Sequence, residues 1–254
     1  MPAHITISAA IDPIAEAHGF GKPQDPAVAP VWLRSQHLVD YAAAVAVMEV
    51  RVAMIRAGAA PETVWLLEHP PVFTAGTSAS DDELLDPGDI PVVRTGRGGR
   101  ITYHGPGQRI AYVMLDLSRR GGDVRAFVRG LEDWIIDALA RLGVTADRRD
   151  GRTGVWVADK DGRRDAKIAA IGVRIRRWVS YHGISINVAP DLSSYDGIIP
   201  CGIDDAAVTS LRDLGLSQSM ADLDGVLADA FARHFPSPTL DFSPSPPSGT
   251  MNER

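Results

Sequence analysis

The sequence predicts a mixed α+β fold in which a sheet formed by a central block of strands is covered by helices. Two observations support this prediction. Strand-like runs are grouped in the middle of the chain, and long helical runs lie on either side of them and between them. The composition is ordinary for a globular protein, with 45% apolar and 23% charged residues among 254. The chain therefore has enough apolar material for a sizeable core.

The first half of the chain contains one helical run followed by several strand-like runs. Residues His37–Ala57 are rich in Ala, Val and Met and lack Pro and Gly, which predicts a helix with a buried face. Thr63–Glu68 predicts a buried strand that ends at the run HPPVFTAG. A short strand in PVVRTGRGG leads into a glycine-rich loop. Arg109–Leu117 then predicts a strong strand.

The second half of the chain also contains both helical and strand-like runs. Asp123 is a predicted N-cap of a helix whose apolar residues recur with helical spacing, and Gly143 fits its C-terminal end. Three strand-like runs follow. The first two flank the turn DKDGRRD and predict a hairpin. A last helix is predicted before the tail. The runs are Gly154–Ala158, Lys167–Ile175, Val179–Val188 and, for the helix, Ser219–Phe235.

The chain divides into a body and two terminal segments. We expect an N-terminal extension over residues 1–30, a folded domain over 31–235, and a Pro- and Ser-rich tail over 236–254 that cannot bury enough surface to order itself. The net charge of −6 argues against nucleic acid as a default partner. No apolar run is long enough for a membrane helix, and no signal peptide is visible. With a single cysteine, we expect a cytoplasmic location.

A glycine-rich run, RGGRITYHGPGQ, spans residues 97–108. Glycine lets the backbone adopt positive φ and lets a ligand approach closely, so such a loop could present N–H groups to an anion, an oxyanion or a carbonyl. The run lacks the GKS or GKT of a phosphate-binding P-loop, and no helix follows it as a dinucleotide fingerprint requires. The alternative interpretation is a pair of tight turns around Pro106.

Cys201 is the only cysteine of the chain and lies between Pro200 and Gly202. Many free cysteines are small core residues, but this setting favours a loop, where catalytic nucleophiles are often found. Lys167 opens an alternating apolar strand. A lysine there is typical of a solvated strand edge, and the functional alternative is an ammonium held near a thiol, where it would stabilise the thiolate.

Histidines and arginines offer weaker signals. His104 lies inside the glycine-rich run and could be a base or a structural group, whereas His69 and His182 favour structural roles. No metal-spaced partner accompanies them, so we expect no metal site. Arginine clusters are typical of solvated faces, although they could also attract an acidic carrier protein; these clusters are at residues 148–149, 163–164 and 174–177.

Three blocks of this sequence together resemble the octanoyltransferases of lipoate biosynthesis, which belong to the biotin and lipoate protein ligase superfamily. The blocks are RGGRITYHGPGQ, then AKIAAIGVRI followed by HGISINV, then PCGI followed by VTSL, and they occur in the family's order and spacing. The resemblance covers about residues 31–235. It implies a mixed, mainly antiparallel sheet flanked by helices and no cofactor.

The resemblance also implies a reaction and its residues. Octanoyl would pass from octanoyl-acyl carrier protein to Cys201 as a thioester, and then to a lysine of the lipoyl domain of a 2-oxoacid dehydrogenase complex or of the glycine-cleavage H protein. Lys167 would lower the pKa of the thiol and act as acid and base. The implied substrate-binding residues are Arg97, Gly98, Gly99, Arg100, Ile101, Thr102, Tyr103, His104, Ala170, Ile171, Gly172, Gly183, Ile184 and Ser185.

Two residues depart from the family's pattern. Arg100 stands where Gln or Asp is usual, and Ser185 stands in SINV where ALNV is more common. Two other functions are compatible with parts of the sequence. An ATP-dependent lipoate or biotin protein ligase would share the fold but would not need a cysteine. A non-catalytic protein that binds acyl carrier or lipoyl domains would carry an inert thiol.

Overall fold

The computed structural model describes residues 12–13, 30–158, 165–200 and 207–237. Cys201 lies outside the described residues, as do nearly all of the predicted N-terminal extension and of the predicted tail. In chain order the elements are β1 (Asp12–Pro13), β2 (Val31–Arg34), α1 (Tyr41–Arg56), β3 (Thr63–Leu67), β4 (Val72–Ala75), β5 (Val92–Arg94), β6 (Ile101–His104), β7 (Gln108–Met114), α2 (Val124–Arg141), β8 (Asp147–Arg149), β9 (Arg152–Ala158), β10 (Asp165–Arg176), β11 (Val179–Asn187), β12 (Ala207–Val208) and α3 (Met220–His234).

The main sheet has the strand order β1-β2-β3-β7-β11-β10-β9-β8, and β12 pairs with β10 beside this path. Its neighbours are antiparallel, except that β2 runs parallel to β3 and β12 runs parallel to β10. The predicted mixed, mainly antiparallel sheet is therefore confirmed. The predicted hairpin is confirmed as well, because β9 pairs with β10.

Both faces of the central strands β3, β7 and β11 are covered, so these strands are buried at every position. Side chains alternate between the two faces of a strand. In β3, Val64 and Leu66 pack with α2 and α3, whereas Trp65 and Leu67 pack with α1. The sheet is thus a middle layer, with α2 and α3 on one face and α1 on the other.

Each helix begins at a polar cap. The Asp40 carboxylate accepts a hydrogen bond from the Ala43 N–H, so α1 begins four residues later than the prediction from His37. Asp123 caps α2 and Gly143 follows its end with φ of 84°, as predicted. Ser219 caps α3 and forms a capping box with Asp222.

A second, three-stranded sheet has the order β5-β4-β6 and stands beside the main one. It corrects two predictions. The run HPPVFTAG contains strand β4, and the glycine-rich run contains strand β6, so residues 97–108 are not one loop. Tyr103 and Ile101 of β6 pack with Phe73, Tyr195 and Ile198, so this sheet has a small core of its own.

Candidate active site

An open cavity, of about 470 Å³ with its solvent-open mouth included, lies on the α1 face of the main sheet, where β6 and the loop before it meet β10 and β11. Its lining contains most of the residues that the resemblance implies. Gly98 is outside the lining, and Ile101 and Tyr103 face the small core of the second sheet instead. The lining residues are Tyr41, Arg97, Gly99, Arg100, Thr102, His104, Ile110, Tyr112, Ala170, Ile171, Gly172, His182, Gly183, Ile184 and Ser185.

Arg97 fastens the second sheet to the main one. Its guanidinium donates to the backbone carbonyl and the hydroxyl of Thr74 in β4, with Nη2 2.7 Å from Oγ1. The Gly98 N–H donates to the Val173 carbonyl of β10 at 2.8 Å. A Cβ at Gly172 would stand 3.0 Å from Cδ of Arg97, so glycine leaves the space that this side chain occupies.

Arg100, which departs from the family's pattern, has a buried partner. Its guanidinium forms an ion pair with Glu83, whose side chain is 2% exposed. The same carboxylate accepts a hydrogen bond from the Ile101 N–H at 3.2 Å. The pair therefore holds the chain just before β6 in place, and the position of Arg100 at the cavity edge follows from this contact.

His104 is fully enclosed and acts as a link between polar groups. Its Nδ1 lies 2.7 Å from Oε1 of Gln108, and its Nε2 lies 3.2 Å from Oγ1 of Thr74. Burial lowers the pKa of His104 to about 3, and the neighbouring charges of His69 and Arg97 act in the same direction. The imidazole is therefore neutral at neutral pH.

Two further imidazoles lie at the same site. His69 Nδ1 contacts the Val39 carbonyl at 2.5 Å, and its Nε2 contacts the Tyr112 hydroxyl at 2.6 Å. Burial lowers the pKa values of His69 and His182 to about 4 in each case. Burial also raises the pKa of Tyr112 well above 10, so the cavity is lined by uncharged rings at neutral pH.

His182 reaches the cavity through an unusual backbone conformation. Its φ is 59°, in the left-handed region that few residues other than glycine adopt. Regular alternation along β11 would place it on the same face as Ile184, which packs with α2 and α3. Its ring instead stacks on Tyr181, with 4.9 Å between the ring centroids, on the α1 face. The structural role predicted for His182 is thus incomplete, because the ring also lines the cavity.

Lys167 is only 7% exposed, so the prediction of a solvated strand edge was wrong. At Lys167 the strand β10 is paired on one side with β9 and on the other with β12. Because Ala166 and Ile168 pack with α2, Lys167 points to the opposite face, which is the face that carries the cavity. Its Nζ lies 4.8 Å from the ring centroid of Trp156. Within the described ranges, no carboxylate lies within 4 Å of this ammonium.

A glycine makes room for this lysine. Gly154 has φ of 121°, and a Cβ there would stand 3.1 Å from Cε and 3.5 Å from Nζ of Lys167. The adjacent chain is held by β12, since the Thr209 N–H donates to the Lys167 carbonyl at 3.0 Å and Val208 pairs with Lys167. The structure describes the chain up to Pro200 and again from Ala207.

Some lining residues were missed from the sequence. Tyr41 opens α1, Ile110 and Tyr112 belong to β7, and all three lie outside the three sequence blocks. Residues of a helix and of a strand that look like ordinary core positions carry no local signal of a site. Only the packing of α1 across β7 and β11 brings them to the cavity.

Comparison with known proteins agrees with this architecture. The profile of the family described as "Lipoyl protein ligase A/B catalytic domain" matches residues 40–232. The octanoyltransferase of Paramagnetospirillum magneticum is 60% identical over 204 residues, which cover 80% of this chain and 96% of that protein. The octanoyltransferase of Brucella melitensis is 57% identical over 221 residues, which cover 84% of each chain.

Solved structures show the same fold at low sequence identity. The bipartite lipoate protein ligase of Thermoplasma acidophilum superposes with a TM-score of 0.57 at 17% identity, covering 74% of this chain and 78% of that one. A lipoate-protein ligase A bound with ATP gives a TM-score of 0.56 at 16% identity, covering 74% and 80%. The predicted ligase-like fold is confirmed. The chain therefore belongs to the lipoyl protein ligase A/B catalytic domain family, where its relatives are octanoyltransferases, and it is an acyltransferase.

Proposed function

We propose that this enzyme transfers an octanoyl group from octanoyl-acyl carrier protein to a lysine of a lipoyl domain through a thioester on Cys201. The buried Lys167 ammonium carries the proposal. A buried charge is unfavourable unless it has a partner, and the described residues supply no carboxylate to Lys167. We take the thiolate of Cys201, the single thiol of the chain, as the partner of this ammonium.

The first step exchanges one thioester for another. The thiolate Sγ of Cys201 attacks the carbonyl carbon of the donor thioester and forms a new C–S bond. The donor C–S bond breaks, and the donor thiolate leaves and takes a proton. No ATP is consumed because the donor acyl group is already activated. An ordinary thiol has a pKa of about 8.5 and is mostly protonated at neutral pH, so a neighbouring ammonium increases the reactive fraction.

The second step forms the amide. The neutral amine of the acceptor lysine attacks the acyl carbon, a C–N bond forms, and the C–S bond to Cys201 breaks. The amine loses one proton and the thiolate is regenerated. Lys167 would take and return protons in this cycle, because an amine can both donate and accept one.

The cavity would hold the acyl chain. Its lining includes the apolar residues Ile110, Ile171 and Ile184, and its histidines are neutral at neutral pH. Burial of a methylene contributes about 0.8 kcal/mol, so a chain of about seven methylenes gains several kcal/mol there. The other lining residues assigned to substrate binding would position the acyl thioester at the cavity mouth; they are Arg97, Gly99, Arg100, Thr102, His104, Ala170, Gly172, Gly183 and Ser185.

The acceptor and the donor are proposed by different arguments. A lipoyl-domain acceptor is supported by the fold, since the similar ligase of Thermoplasma acidophilum is described together with its E2 lipoyl domain. The acyl carrier protein donor, the H protein as a further acceptor and the cytoplasmic location stay predictions from the sequence. No helix of the described residues is long and apolar enough to cross a membrane.

A transfer assay without nucleotide tests the proposed function. Purified enzyme, octanoyl-acyl carrier protein and a lipoyl domain are mixed in the absence of ATP, and the mass of the lipoyl domain is followed. We expect the lipoyl domain to gain one octanoyl group. If octanoylation required ATP and free octanoate, with exchange of pyrophosphate into ATP, the enzyme would be a ligase. If neither reaction occurred, a binding role would remain.

A further inference from the structure

A second open cavity, of about 540 Å³ with its solvent-open mouth included, adjoins the first and is lined by residues of α1, β5, β10 and β11. The two cavities share two lining residues, Tyr41 and His182. These two side chains therefore stand between the cavities as a common wall. The mechanism proposed above makes no use of the second cavity.

We propose that Tyr41 and His182 set the maximum length of the acyl chain by closing the first cavity against the second. The inference rests on the proposed function, because it takes the first cavity as the acyl site. It adds the residues that determine specificity for chain length. It also predicts where the end of a longer chain goes once the wall is removed.

The wall is built from stacked, buried rings. The centroids of Tyr41 and His182 are 6.4 Å apart and the ring planes differ by 20°. On its other side Tyr41 stacks on His104 at 6.3 Å. Tyr41 is 5% exposed and His182 is 3% exposed, so neither ring can turn freely into solvent. The wall therefore has a defined position, which a length limit requires.

The wall and the space behind it are compatible with an alkyl chain. Burial keeps the His182 imidazole neutral at neutral pH, so this ring of the wall presents no charge to the end of the chain. Beyond the wall, Val45, Val93 and Tyr181 supply apolar lining to the second cavity, whose lining also includes the charged residues Glu49, Arg94 and Arg174. Methylenes that passed the wall would leave water for apolar surface, which is favourable.

The ring of Tyr41, and not its hydroxyl, makes the wall. The hydroxyl lies near Thr95, but in the part of the chain that the structure describes it has no hydrogen-bond partner of normal geometry. Tyr41→Phe keeps the ring and removes the hydroxyl, so it should keep the length limit. Tyr41→Ala removes the ring and should join the two cavities.

The test is competition between acyl carrier proteins loaded with octanoyl and with dodecanoyl groups, read as the ratio of the two enzyme adducts by intact mass. The ratio does not depend on how much of a variant is folded. We expect Tyr41→Ala to raise the dodecanoyl-to-octanoyl ratio by about tenfold or more, because the extra methylenes become buried. Tyr41→Phe should keep the wild-type ratio.

A double variant locates the end of the longer chain. Val45 lines only the second cavity, so Val45→Phe alone should leave the ratio unchanged. In Tyr41→Ala/Val45→Phe the second cavity is filled, and the ratio should return toward the wild-type value. An unchanged ratio in Tyr41→Ala, or a double variant that still prefers dodecanoyl, would overturn the inference. Wild-type protein that forms no octanoyl adduct would instead overturn the proposed function on which the inference rests.

Discussion

Lys167→Met is expected to lower kcat/KM by about 10²- to 10⁴-fold, the range that one acid–base group contributes, while the fold stays at least as stable. Methionine keeps the length of the side chain and its contact with Trp156. It removes the positive charge of Lys167, a residue that is 7% exposed. The described residues supply no carboxylate to this charge. Such a charge is unfavourable to the folded state, so its loss should not lower the free energy of unfolding.

Two measurements separate a catalytic lysine from a structural one. Steady-state transfer gives kcat/KM, and urea denaturation gives the free energy of unfolding. The rate of thiol alkylation against pH should move to higher pH in Lys167→Met. Arg152→Met is the matched control, because Arg152 also lies over the Trp156 ring, at 5.9 Å, and has no assigned chemistry. A Lys167→Met enzyme that transfers octanoyl at the wild-type rate would remove Lys167 from the mechanism.

Acid should destabilise this protein well before its carboxylates are protonated. Burial lowers the pKa of His104 from 6.5 to about 3 and the pKa values of His69 and His182 to about 4. Because these pKa values are lower in the folded state, the unfolded chain binds protons on the three histidines at a higher pH than the folded chain does. The contribution of the three neutral histidines to the free energy of unfolding is therefore complete above pH 6.5. It is lost as the pH falls from 6.5 toward 4. Each histidine contributes up to about 1.4 kcal/mol per pH unit in this range.

Urea midpoints measured between pH 7.5 and pH 4.5 test this expectation. His182→Asn is the informative variant, because asparagine tolerates the left-handed backbone that His182 adopts and does not titrate. Its free energy of unfolding should depend on pH less steeply than that of the wild type, by about one third, since one of three histidines is gone. Equal slopes for the two proteins would show that the His182 imidazole is not buried as the structure has it.

Local patterns predicted most of the long elements. The caps Asp123 and Ser219 and the apolar periodicity of α2 are local features, and so is the sequence DKDGRRD that predicted the pairing of β9 with β10. Strands β8 and β12, in contrast, are two or three residues long and exist because β9 and β10 offer free edges to pair with. No pattern inside so short a run can indicate such a pairing.

The candidate site also combines features that the local sequence predicts with features that depend on pairing and packing. The glycine-rich run predicted close approach of backbone and ligand, and five of its twelve residues line the cavity: Arg97, Gly99, Arg100, Thr102 and His104. What the run could not show is that it contains a strand, since β6 depends on pairing with β4. The burial of Lys167 also escaped prediction, because it depends on Trp156 and on the space above Gly154, both on the neighbouring strand. The wall residue Tyr41 reaches the cavity only through the packing of α1.

The most direct test of the account is the intact mass of the enzyme after mixing with octanoyl-acyl carrier protein. We expect one added octanoyl group, lost on treatment with hydroxylamine and absent from Cys201→Ser. That result would identify the bond as a thioester and the residue as the only cysteine of the chain. An adduct that forms equally on Cys201→Ser, or folded wild-type enzyme that transfers octanoyl without ever carrying it on Cys201, would contradict the covalent mechanism.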